Sequence, residues 1–241
     1  MAATLYAVPA SHPCACVERA LQLKGVAYRR FDWLPVAHKP IQLAMFGGGT
    51  VPGLVLDGRR VLGSRAAVRA LEEVAPAPAL LPDGEKERKP IELAEEWGDE
   101  VLQPLVRRVL WAALRRAPGA MPSYGEGSGL RVPAALARLS APLIAEAERR
   151  INRASDLNVR ADLASLPHHL GRIDRWIEHD VIGGEQPNAA DLQIASGLRL
   201  LLTIEDVAAA VGSRPAVALA RRWFERFPGR APAGALPAGW V

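Results

Sequence analysis

The chain has 241 residues, 49% of them hydrophobic and 23% charged, with a formal charge of +4, the balance of a protein that buries a core in one large domain or two ordinary ones. No run of about 18 apolar residues occurs, which argues against a membrane-spanning helix. Arginine doublets such as Arg107-Arg108 and Arg221-Arg222 alternate with acidic residues instead of forming an aromatic-interleaved basic stripe, which argues against nucleic-acid binding.

In chain order, Thr4-Val8 reads as a strand and Pro13 to Lys24 as a helix, with Val17, Ala20 and Leu21 on one face and Gly25 as its stop. Val26-Phe31 reads as a second strand, and Trp33 to Thr50, with its prolines and the run Gly47-Gly49, as irregular. Gly53-Leu56 and Arg60-Leu62 make a hairpin about Asp57-Gly58. Ser64 to Val74 reads as a helix with Ser64 as N-cap.

The prolines and glycine of Ala75-Pro78 and Pro82-Gly84 then interrupt any helix. The reading is a mixed α/β domain over residues 1–77, a linker over 78–87 and an all-helical domain over 88–241. Helical stripes are Leu93, Trp97, Val101, Leu105, Val109; Leu136, Leu139, Leu143, Ala147; Leu163 through Ile177; and Val217 through Phe227. Ala117 to Gly129 is expected to be a flexible connection, and Trp240 to dock an otherwise irregular tail.

Two cysteines are present, Cys14 and Cys16, too close for a structural disulfide. With no basic start of a secretory signal, a reducing, cytoplasmic setting is expected. His168 and His169 are adjacent, not one helical turn apart, so no shared metal is expected. Trp97, Trp111, Trp176 and Trp223 read as core, with one or two at a cleft.

Three stretches can carry chemistry. Ser11-His12-Pro13-Cys14 stands where strand becomes helix, and unpaired N–H groups at a helix start stabilise an anion. The Ser11 hydroxyl can donate to a sulfur there, or simply belong to the cap region. Cys14 can be a thiol activated by the helix, or a small buried residue. Thr50-Val51-Pro52 suits a cis proline that turns the Val51 backbone outward to pair with an extended peptide, or an ordinary loop. The N–H and hydroxyl of Ser64 can bind a carboxylate, or cap the helix and nothing more.

Taken together, this order of strand, Ser11-His12-Pro13-Cys14, helix, strand, Thr50-Val51-Pro52, hairpin, Ser64 and helix resembles the glutathione S-transferase superfamily, nearest its theta-like, serine-using branch. Pro187-Asn188-Ala189-Ala190-Asp191-Leu192 also resembles that family's capping box and hydrophobic staple, in which Asn188 and Asp191 cap one another. The resemblance spans roughly residues 4–230. It implies a thioredoxin-like βαβ-ββα domain followed by a helical one.

It also implies a transferase that joins glutathione or a related thiol to a hydrophobic electrophile, as a cytoplasmic homodimer with no cofactor beyond the thiol co-substrate. Ser11 would activate the thiolate, Val51 beside Pro52 would pair with the cysteinyl backbone, and Ser64 would hold the glutamyl carboxylate, reinforced by Arg65. His12 would touch the peptide; His38 and Lys39 would meet its glycyl end. Two alternatives stay open: a thiol-disulfide or deglutathionylating enzyme working through Cys14, and a non-catalytic binding or assembly module. Where the family has an acidic residue or glutamine before Ser64, this chain has Gly63, which implies a weaker hold on the glutamyl ammonium.

Overall fold

A computed structural model describes residues 2–241. The N-terminal part is built from β1 (Ala3–Ala7), α1 (His12–Leu23), β2 (Tyr28–Asp32), α2 (His38–Phe46), β3 (Gly53–Leu56), β4 (Arg59–Leu62) and α3 (Ser64–Val74). The sheet order is β2-β1-β3-β4, with β1 parallel to β2 and antiparallel to β3. Alternate residues of β1, Ala3, Leu5 and Ala7, are buried against Val17 and Leu21 of α1 and Val68 and Leu71 of α3. Tyr6 points the other way and stacks on Phe31 and Trp33, with Phe46 of α2 against its edge. This is the thioredoxin-like arrangement expected from the sequence.

The helical part follows: α4 (Glu85–Trp97), a π turn (Gly98–Leu102), α5 (Gln103–Arg116), 3-10 turns (Pro118–Gly125), α6 (Ala134–Ile151), α7 (Asp156–Glu178), α8 (Ala189–Leu201), α9 (Glu205–Val211) and α10 (Pro215–Trp223). Nearly every residue of α8 is buried. Ala189, Leu192 and Ala195 join the core of the first domain, while Ala190, Ile194 and Leu198 join that of the second. The two cores therefore meet along one helix. Lys24, at the end of α1, fastens the link between domains by donating to the carbonyls of Ala75 at 2.6 Å and Pro78 at 3.0 Å.

The structure departs from the sequence reading at several places. The stretch 33–50 is not irregular throughout, since it contains α2. Pro40 lies in that helix's first turn, where a missing N–H costs nothing, and Gly47, at φ +78°, closes it in the left-handed conformation. The second strand starts at Tyr28 rather than Val26, and α4 begins at Glu85, inside the segment read as linker. The N-cap of α3 is Gly63; Ser64 is the first helical residue. The stripe from Leu93 to Val109 is broken by the π turn, whose wider winding rotates the helix face: Leu105 and Val109 are buried, but Leu93 and Val101 are exposed.

On α6 the expected stripe points outward. Leu139 and Leu143 are each 76% exposed, and it is Ala141, Ala145 and Glu148 that face inward. Small residues let α6 lie close on α5, which periodicity alone does not distinguish from a leucine face. The segment read as a flexible connection is ordered by the Tyr124 hydroxyl, 2.9 Å from that of Thr203. The tail docks as expected: Ala231 bridges Ile204, and Trp240 lies under the Arg116 guanidinium at 4.7 Å.

Candidate active site

A cleft of about 420 Å³ opens between the end of β1, the start of α2, and α5 and α6 of the helical part. Six of the sequence-predicted residues meet on it: Ser11, His12, His38, Lys39, Thr50 and Val51. Ser11 is the N-cap residue of α1, yet its side chain makes no cap hydrogen bond. The hydroxyl thus has no capping role at the positive end of the helix and stands within hydrogen-bonding reach of the Cys14 thiol. The Val51–Pro52 peptide is cis, and the Val51 N–H and carbonyl pair with no other group among the described residues. An extended backbone can therefore add at this edge.

The remaining predicted residues are placed differently. Ser64 is buried at the start of α3 and does not line the cleft. The Gly63 N–H donates to the Pro52 carbonyl at 2.9 Å and holds this turn beside the cis proline. Gly63 itself has φ +91° and ψ 155°, an essentially glycine-only backbone that a side-chain-bearing residue adopts at a cost of about 1–3 kcal/mol. The acidic residue missing here could be restored only against that strain. Arg65 turns away from the cleft: its Nε and Nη2 lie 3.6 Å from the carboxylates of Glu95 and Glu96 on α4. Arg69 meets the same buried Glu95 at 2.5 Å, so Arg65 and Arg69 fasten α3 to α4.

Burial decides the chemistry of the other titratable groups. Cys14 is 1% exposed, and burial pushes its thiol up to about 11, against a smaller downward pull from the Ser11 hydroxyl. At neutral pH it is a thiol, not a thiolate. Cys16 is buried as well, and burial, with Glu95 and Asp99 adding to it, raises its thiol well above the usual value. His12 is 2% exposed and packs toward α8; its Nε2 has no partner among the described residues. Burial, and secondarily the Arg107 cation, hold its pKa well below 6.5. Burial also lowers His38, with help from Lys39.

A pH dependence follows from His12. The folded protein keeps this ring neutral, while the unfolded chain takes up a proton near pH 6.5. Its contribution to stability is complete above that pH and is lost progressively as pH falls toward the depressed folded value. The gap in denaturation midpoint between wild type and His12→Gln is expected to narrow between about pH 7.5 and 5. A pH-independent gap would show that the His12 pKa is unchanged by folding, and a gap that widens as pH falls would show that the ring is protonated in the fold.

The cleft's other wall escaped the sequence reading. Arg107 and Trp111 come from α5, Glu148 from the inner side of α6 and Asn152 from its C-cap. Trp111 stood among the tryptophans assigned to core or cleft; Arg107 and Glu148 carry no sequence signal that separates them from surface charge. Capping residues Asn188 and Asp191 lie outside the cleft and do form the expected box. The Asp191 N–H donates to Asn188 Oδ1 at 3.0 Å, and the Asn188 N–H to Asp191 Oδ2 at 3.0 Å.

Residues 5–79 match the family described as Glutathione S-transferase, N-terminal domain. No curated protein sequence matches the chain. Among solved structures, a glutathione S-transferase from Rhodospirillum rubrum F11 is 23% identical with a TM-score of 0.62, over 97% of each chain. One from Sinorhizobium meliloti 1021 is 19% identical with a TM-score of 0.61, over 99% of this chain and 97% of that one. The theta-class enzyme of Xanthomonas axonopodis pv. citri, solved with glutathione bound, is 20% identical with a TM-score of 0.58, over 93% and 91%. The similarity to these structures covers both domains.

Proposed function

We propose that the chain, whose residues 5–79 match the glutathione S-transferase N-terminal domain, is a member of that superfamily and activates glutathione, or a related low-molecular-weight thiol, for attack on a hydrophobic electrophile. The observation that supports this most is Ser11: a hydroxyl at a helix start, free of capping duty, facing a largely apolar cleft. In this reading the hydroxyl donates to the thiol sulfur and the helix end favours its anion, so the thiol gives its proton to solvent. The thiolate then forms the new bond to the electrophile's carbon, whose leaving group or π-electron pair departs from that carbon. Val51 pairs with the thiol's peptide backbone, while His38 and Lys39 meet its far end. Ser64, the carboxylate site that the resemblance implies, lies buried outside this cleft, so a glutamyl end reaches it only if the turn at Gly63 opens. The reading includes a homodimer in the cytoplasm and no cofactor.

The buried, protonated thiol of Cys14 disfavours the cysteine route. A binding or assembly module remains the second reading, favoured by the glycine at position 63 in place of an ammonium-gripping side chain. A thermal-shift panel of glutathione, cysteinylglycine and free cysteine separates them. A thiol present at a hundred times its dissociation constant stabilises by about 2.7 kcal/mol. Glutathione is expected to raise the melting temperature by several degrees and cysteinylglycine by less. No shift with any thiol would support the module.

A further inference from the structure

We propose that the electrophile subsite selects an anionic substrate, an apolar, aromatic-sized body carrying a carboxylate that pairs with Arg107. This rests on the thiol-transfer reading and names the substrate class of the same cleft.

Arg107 is singular among the charges of α5. Its neighbour Arg108 is held by both oxygens of Asp162, at 2.6 and 2.7 Å, and Arg115 and Arg116 pair with Glu146 and Asp156. Arg107 makes no ion pair or hydrogen bond among the described residues, its Nε is sealed from solvent, and its side chain lines the cleft. A cation taken out of water without a partner is costly. Burial accordingly lowers its pKa, while Asp99 and Glu148 pull upward from beyond ion-pair distance. A planar guanidinium left open in a cavity matches a carboxylate's two oxygens.

The rest of the cleft specifies what the carboxylate is attached to. Leu110, Trp111, Leu114, Met121, Leu130 and Ile144 give apolar walls, which favour a flat hydrocarbon body. Glu148 fixes the orientation. It is 5% exposed, and its Oε2 accepts from Asn152 Nδ2 at 3.0 Å, which holds the carboxylate in place on α6. A substrate anion is repelled from that side and drawn to Arg107.

Two matched probes test this: 4-chloro-3-nitrobenzoate and its methyl ester. With glutathione, sulfur bonds to the ring carbon bearing chlorine, chloride leaves with the bonding pair, and the thiol proton goes to solvent. Binding of both probes is measured by calorimetry without thiol, and initial rates with it. The wild-type protein is expected to bind the benzoate about ten- to a hundredfold tighter than the ester. Arg107→Met should bring that ratio close to one, Arg107→Lys should keep part of it, and Glu148→Gln should tighten the benzoate without tightening the ester.

An unchanged ratio in a folded Arg107→Met or Arg107→Lys protein, or no preference in the wild type, overturns the proposal. So does an equal fall in rate on both probes with the binding ratio intact, which would place Arg107 on the thiol. Should neither probe turn over while the binding ratio still depends on Arg107, thiol transfer fails and the anion subsite stands.

Discussion

Replacing Ser11 with alanine is expected to lower the rate of glutathione conjugation about a hundredfold or more, the loss typical of one donor aimed at developing charge. The melting temperature should scarcely move. An N-cap side chain ordinarily contributes about 1 kcal/mol, but Ser11 makes no cap bond in this fold. Activity and stability should therefore separate cleanly. Cys14→Ser is expected to keep near-wild-type rates, because the buried thiol is protonated at neutral pH. If Ser11→Ala retained full activity and Cys14→Ser lost it, the chemistry would belong to the cysteine.

The second large effect is on folding. Asp191 is fully buried, and its carboxylate accepts from the N–H groups of Gly183 at 2.8 Å and Asn188 at 3.0 Å and from Trp223 Nε1 at 3.2 Å. Asp191→Ala leaves three donors without an acceptor at the start of the helix shared by both cores. Each orphaned donor costs about 1–3 kcal/mol, so the variant should lose about 3 kcal/mol or more and express poorly. The surviving folded fraction should keep its catalytic constants. The capping box alone would have suggested about 1–2 kcal/mol; the bonds to Gly183 and Trp223, from loop and α10, raise it. An unaltered denaturation midpoint would contradict this account of α8.

These two sites were legible in the sequence because each is local. Ser11 beside Pro13 and Asn188 three residues before Asp191 are short-range arrangements in which the backbone dictates the contact. The alternation of β1 and the Asp57-Gly58 hairpin were legible for the same reason. Helix α2 was not: Pro40 and the glycines look like loop signals until the proline is seen to lie in the first turn and Gly47 at the end. The leucines of α6 point outward: periodicity finds an apolar face without saying which face packs. Alanines at 141 and 145 settle that by allowing close approach to α5. Arg107 and Glu148 were invisible because their meaning depends on two helices facing across a cleft. Arg65 looked available for a ligand until α4 supplied Glu95.

In the proposed reading this cleft holds a thiol as its anion at Ser11. The most direct measurement is an ultraviolet titration of the thiol of bound glutathione in the wild-type and Ser11→Ala proteins. The bound thiol is expected to ionise well below the usual value of about 8.5, returning toward it in Ser11→Ala. Saturable glutathione binding with an unshifted thiol, the same in both proteins, would contradict it.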